Sequence, residues 1–187
     1  MERQTGESDL LLTCRKTQEG VTILRCAADT AHIVLPDQVL GQPVTALGPY
    51  ALSQREPDLS GCANAFQVHV TCGGTEPQHD ASAIRDLVLP AGLKTVGDYA
   101  FYNCRNLAHL TLTRSVERLG SDSFMNCPLQ NITLTLGEDG RSCLRSLLAD
   151  CVADLEVVLR FPSGEEARLF FPARPGAGTL SGACKIG

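Results

Sequence analysis

Apolar and polar residues alternate in short bursts along this chain, and the bursts recur at a fixed interval. Residues 84–104 read IRDLVLPAGLKTVGDYAFYNC, and residues 107–127 read LAHLTLTRSVERLGSDSFMNC. A shift of 23 superimposes Leu87/Leu110, Leu89/Leu112, Gly97/Gly120, Phe101/Phe124, Asn103/Asn126 and Cys104/Cys127. Composition alone would match about one or two positions in such a window. Ile84/Leu107, Leu93/Val116 and Val96/Leu119 are apolar in both copies. Each L-x-L burst predicts a short strand whose alternate side chains face inward. Gly97 and Gly120 are expected at a turn with positive φ. The segment 99–103 should then carry Phe101 beneath the strands, with Cys104 in a tight inner corner. One such unit cannot bury its own apolar face, whereas stacked units build a continuous core and a parallel strand ladder.

The pattern extends in both directions. Ala46-Leu47-Gly48-Pro49-Tyr50-Ala51-Leu52 aligns with Thr95-Val96-Gly97-Asp98-Tyr99-Ala100-Phe101, and Leu35-Pro36 matches Leu89-Pro90 with five extra residues before the glycine. The predicted rungs are 33–35, 68–70, 87–89, 110–112, 132–134 and 157–159. The first inward row is then Ile33, Val68, Leu87, Leu110, Ile132 and Val157, and the second is Leu35, Val70, Leu89, Leu112, Leu134 and Leu159. Solenoid ends are apolar and leave unpaired edges, so they need caps. DLLLTCRKTQEGVTILRCA predicts an N-terminal hairpin turning at Gln18-Glu19-Gly20. Cys143, Leu144, Leu147, Leu148, Cys151 and Val152 recur at helical spacing and predict an amphipathic helix over 141–153. LEVVLRFPSGEEARLFFP predicts a second hairpin turning at 162–165. The expected organisation is a single domain over 1–172: a cap over 1–30, repeats over 31–136 with an irregular insert at 53–83, and a second cap over 137–172. Residues 173–187, ARPGAGTLSGACKIG, lose the apolar periodicity and are expected to be a disordered tail.

Composition narrows the function classes. A net charge of −5 with interspersed signs argues against a nucleic-acid surface, which needs a basic stripe. No run approaches the roughly 18 apolar residues of a membrane span. The N-terminus has no signal-peptide layout, so the chain is expected to be cytoplasmic. Nine cysteines, an odd number without a signal, favour free thiols. Cys104 and Cys127 read as core residues of the repeat rather than redox thiols. Cys62, His69, Cys72 and His79 are zinc-ligand types within the insert, but C-x6-H-x2-C-x6-H matches no compact metal knuckle. Neither a G-x-S-x-G elbow nor a phosphate-binding glycine loop is present. Asn131-Ile132-Thr133 is a glycosylation sequon only in form, since it falls on a predicted strand. The reading is non-enzymatic, with no cofactor.

The string LVLPAGLKTVGDYAFYNCRNLAHLTL resembles the BspA-like (Treponema-type) leucine-rich repeats found mainly in bacteria, which order strand, Pro, Val/Ile-Gly, Ala-Phe, Asn-Cys and Leu in this way. VTILRCAADTAHIVLPDQVLGQPVTALG is similar to the family's opening segment, so the resemblance covers roughly 20–134. Residues 53–83 depart from it. The resemblance implies a curved leucine-rich-repeat solenoid, and the helix-hairpin ending is not part of its repeat. With the caps read from the residue pattern, the expected fold is an α/β leucine-rich-repeat solenoid: a short right-handed curved stack with a parallel strand ladder, an N-terminal hairpin cap and a C-terminal helix-plus-hairpin cap. The resemblance also implies binding of proteins or cell surfaces, and many members are secreted or surface-attached. The expected function is a protein-protein interaction or scaffolding module. A structural domain or N-terminal fragment of a larger cytosolic bacterial protein, and a zinc-binding module built on residues 62–79, are the alternatives. Partner contacts are expected on the concave strand face, at His69, Asp86, Val88, His109, Thr111, Asn131 and Thr133, beside Val34, Val158 and Thr135.

Overall fold

A computed structural model of the chain describes residues 2–113, 115–136, 148 and 154–173. Two sheets carry the fold, and one hydrophobic cluster draws on both. The first is the ladder that the L-x-L spacing predicts. It runs through β4 (His32–Val34), β8 (Asp86–Val88), β10 (His109–Leu112), β12 (Asn131–Thr135) and β13 (Leu155–Arg160), all parallel, and ends on β14 (Glu166–Phe171), antiparallel to β13. Register is continuous along the inward row: Ile33 pairs with Leu87, Leu87 with Leu110, Leu110 with Ile132 and Ile132 with Val157. All five are buried, and so are Leu35, Leu89, Leu112 and Leu134 of the second row; Leu159 is half-buried.

The second sheet comprises β1 (Glu2–Thr5), β7 (Phe66–Thr71), β2 (Leu10–Thr17), β3 (Gly20–Ala27), β6 (Gln42–Leu47), β9 (Thr95–Val96) and β11 (Arg118–Leu119), in that spatial order. From β3 to β11 it is a second parallel ladder, in which β6, β9 and β11 supply one strand per repeat. β2 and β3 form the N-terminal hairpin, turning at Gln18-Glu19. The five extra residues of the first repeat contribute β5 (Gln38–Val39), which folds back on β6 through Leu40 and Gly41, both at positive φ.

Three expectations are corrected. First, residues 68–70 are not a rung between 33–35 and 87–89. β4 pairs directly with β8, and β7 instead lies against β1 and β2 in the other sheet. The alternation of Val68 and Val70 marks a strand but does not say which sheet receives it. β2, eight residues long with Leu10, Leu12 and Cys14 facing the core, supplies the antiparallel edge that β7 fills. Second, Gly97 and Gly120 do not have positive φ; that conformation falls on Tyr50, Tyr99, Asp122, Asn103 and Asn126. Third, among the described residues no helix runs through the repeats. Their return segments are short strands and turns, so the helical part of the α/β expectation does not apply to them. The helix expected over 141–153 lies outside the described residues apart from Leu148, which packs half-buried on the core. The tail from 174 onward also lies outside them.

The turns stack as regularly as the strands. Phe101 N–H donates to Ser123 O at 2.9 Å, and one repeat earlier Leu52 N–H donates to Ala100 O at 2.8 Å. Phe101 and Phe124 stack with ring centroids 4.7 Å apart, and Tyr50 stacks on Tyr99 at 5.3 Å. Asn126 donates its side-chain amide to Asn103 Oδ1 at 2.8 Å. Cys104 and Cys127 each donate their thiol to the equivalent carbonyl of the rung before, Leu52 O at 3.4 Å and Phe101 O at 3.0 Å.

Candidate functional site

Inward residues of the β4–β13 ladder alternate with outward ones, so the register that buries Leu110 also sets a row of side chains on the outer face. One outward row is His32, Asp86, His109, Asn131 and Glu156, continued across the hairpin by Phe170. The next is Val34, Val88, Thr111, Thr133 and Val158, continued by Arg168. Six of the seven expected contact residues therefore lie together: Asp86, Val88, His109, Thr111, Asn131 and Thr133.

The seventh, His69, does not join them. It sits on β7 in the other sheet, only 4% exposed, and neither ring nitrogen has a partner among the described residues. Its assignment to this face followed from placing 68–70 in the wrong ladder.

The two outward rows differ in chemistry. The first is a chain of polar contacts. His32 Nδ1 bonds Asp86 Oδ2, and His109 Nε2 lies 3.7 Å from the other Asp86 oxygen. Asn131 donates to Glu156 Oε2 at 3.1 Å, while Arg168 holds Glu156 Oε1 at 3.2 Å. Each carboxylate thus faces a donor. The second row holds only short uncharged side chains until it reaches Arg168, with Val88, one rung from the β4 end, 37% exposed. A cavity of about 360 Å³ opens at the C-terminal end of the polar row, among Asn131, Asp154, Glu156, Arg168 and Phe170. Such a surface can exchange hydrogen bonds and apolar contacts with a partner along several rungs. His32, Glu156, Arg168 and Phe170 are the members that the sequence reading left out. Period-two counting back from Val34 and Val158, both already on the outward row, would have reached His32 and Glu156.

The insert residues take separate structural roles. Cys72 lies beside Asp9, whose carboxylate accepts from Thr71 Oγ1 at 2.7 Å and from the backbone amides of Cys72 and Gly74 at 3.1 Å. The thiol and hydroxyl bonds of Cys72 and Thr71, aided by those amides, hold the Asp9 carboxyl down to about 2. His79 Nε2–H donates to Ser53 O, 2.9 Å away. Burial, and after it the Arg25 guanidinium, lower the His79 pKa below its usual range. Among the described residues no three His, Cys, Asp or Glu side chains converge as a metal site. Burial favours the protonated thiol at three core cysteines: the Cys127 hydrogen bond and burial raise Cys104 well above the usual thiol range, and burial pushes Cys14 and Cys26, on the N-terminal hairpin, to about 12.

Residues 79–148 match the family described as BspA type leucine rich repeat region (6 copies). The crystal structure of a leucine-rich-repeat protein from T. pallidum aligns with 68% of this chain and 73% of its own, at 21% identity and a TM-score of 0.33. No curated protein gives a significant match.

Proposed function

We propose that this chain is a non-enzymatic protein-binding module whose partner lies across the outward face of the β4–β13 ladder, a reading supported by the match of residues 79–148 to the BspA type leucine rich repeat region. One observation carries the reading. Four adjacent rungs bring Val88, Thr111, Thr133 and Val158 into register as a strip of short, uncharged side chains. The strip is bordered by the self-paired polar row from His32 to Glu156. Short side chains lose little conformational entropy on being covered, and paired charges at a rim favour orientation over raw affinity. Contact is proposed through Asp86, Val88, His109, Thr111, Asn131 and Thr133. Residues 1–172 are proposed to act as one unit that presents this face. Among the described residues no helix is long and apolar enough to cross a membrane.

A photoreactive residue placed at Thr133 should form a discrete covalent adduct with a protein in extract of the source cells. The same residue at Arg118, on the other sheet, should not. Adding Thr111→Arg to the Thr133 probe should remove the adduct while leaving the melting temperature unchanged. Equal labelling from Arg118, or an adduct indifferent to Thr111→Arg, would sink the reading.

A further inference from the structure

The ladder ends on β14, and that edge differs from the opposite one. At the other end β4 is only three residues long, which is one of the ways sheets protect an edge. β14 is six residues long and pairs with β13 without a register shift. Within its span EARLFF there is no proline, no lysine and no bulge. Phe170 stands 67% exposed on the outward face, two positions from Arg168.

The hydrogen-bond parity of this edge can be read from the hairpin. Phe161 N–H donates to Glu165 O at 2.9 Å, which makes that couple a hydrogen-bonded one. Alternation along an antiparallel ladder then points the backbone groups of Ala167, Leu169 and Phe171 toward β13 and those of Glu166, Arg168 and Phe170 away from it. The other side of β13 agrees, since Glu156 N–H donates to Gln130 O, away from β14. Among the described residues nothing pairs with this edge, which is therefore a run of three outward-directed backbone pairs, at alternate residues.

We propose that β14 is a homotypic docking edge, which pairs antiparallel with β14 of a second copy around a two-fold axis through Leu169. A two-fold perpendicular to the sheet keeps outward residues opposite outward residues, so only even-sum registers are allowed. Centring on Arg168 would set arginine against arginine. Centring on Ala167 would overlap only three strand residues. Centring on Leu169 overlaps five, and it is the register in which the side chains complement each other. Arg168 lies opposite Phe170 of the second copy, and Phe170 opposite its Arg168. Each exposed ring thus meets a guanidinium, a favourable cation–π pairing. Both residues also have outward-directed backbone groups, so the same couple forms the hydrogen-bonded pair. Leu169, whose amide points to β13, then faces its own copy as a non-hydrogen-bonded pair with Cα atoms about 4.5 Å apart.

Sedimentation of the full chain from about 1 µM to about 1 mM should show mass rising from one copy toward two, as expected for a mass-action dimer. Arg168→Pro removes one outward amide and the guanidinium without touching the β13 ladder, and it should abolish the rise. Phe170→Lys should do the same by an independent route, with its circular dichroism unchanged. Leu169→Cys should form a covalent dimer with oxidised glutathione, well beyond the unsubstituted chain treated alike, because non-hydrogen-bonded pairs fit disulfide geometry. A single-copy mass throughout would overturn the proposal, as would a dimer that survives Phe170→Lys. Exchange protection of the Arg168 and Phe170 amides that is independent of concentration would assign the edge to an occupant within the same chain, and that too would overturn it.

Discussion

The residues that matter most here are those whose role depends on the neighbouring rung. Phe101 and Phe124 are fully buried and stack face to face, so each ring fills a layer that the other helps define. Truncating either to alanine should cost about 3–5 kcal/mol in chemical denaturation, since a ring-sized cavity opens in a packed layer. A loss well below 1 kcal/mol at both sites would contradict the stacked-repeat core. Gly97 and Gly120 are glycine for a different reason than a positive φ. A Cβ on Gly97 would lie 2.6 Å from the backbone of Gly48 and Pro49, and one on Gly120 would lie 2.5 Å from Gly97 C. The glycines let successive rungs approach closely. Gly97→Ala should therefore destabilise by about 1–3 kcal/mol or more through overpacking. Gly61→Ala, where a Cβ would meet nothing within 4 Å, should change stability by no more than about 0.5 kcal/mol. The matched glycines were legible from the repeat, but their purpose was not. A single unit shows a break in the pattern, and only the stack shows what would collide.

At the scale of elements, the sequence revealed where strands occur more readily than which ladder they join. The strands at 87–89, 110–112, 132–134 and 157–159 fell into register because a repeat carries its pairing with it. β7 lacks that signature and went to the sheet whose edge was open. The second ladder of β6, β9 and β11 escaped notice because two of its strands have only two residues, too few to display alternation. The insert between β6 and β8 is tied back by contacts that no local pattern announces. Arg25, on β3, donates to Ser53 O at 2.7 Å and to Tyr50 O at 3.1 Å, both at the point where the insert leaves the repeat. His79 meets the same Ser53 carbonyl from the far end of the insert. Arg25→Ala leaves these half-buried carbonyls without their charged donor. It should cost about 1–3 kcal/mol and open the 53–83 segment to limited proteolysis before the repeats unfold. Cleavage no faster than in the parent chain would mean that the insert is held by other contacts.

For the whole molecule, these ties make stability depend on pH in two separate windows. His79 is kept neutral in the folded chain by burial and by Arg25, so its folded pKa lies below the ordinary 6.5. A depressed value means that its contribution is complete above the unfolded pKa and fades as pH falls through the folded one. Asp9 behaves with the same sign lower down. Its carboxylate clamps residues 71–74 to the start of β2 and titrates near 2 instead of 3.8. Its contribution is present above pH 3.8 and is lost as pH falls toward about 2. Melting temperature should accordingly decline in two steps on acidification. His79→Gln should flatten the upper step alone, and Asp9→Asn the lower step alone, because the two residues act on different parts of the chain. A net charge of −5 at neutral pH reverses sign on the way down, which adds a smooth slope from self-repulsion beneath both steps. That slope is shared by all variants and weakens with added salt, whereas the Asp9 step rests on short hydrogen bonds and should persist in salt. An Asp9→Asn profile that retains the lower step at high ionic strength would show that the clamp on residues 71–74 does not set the acid limit of the fold.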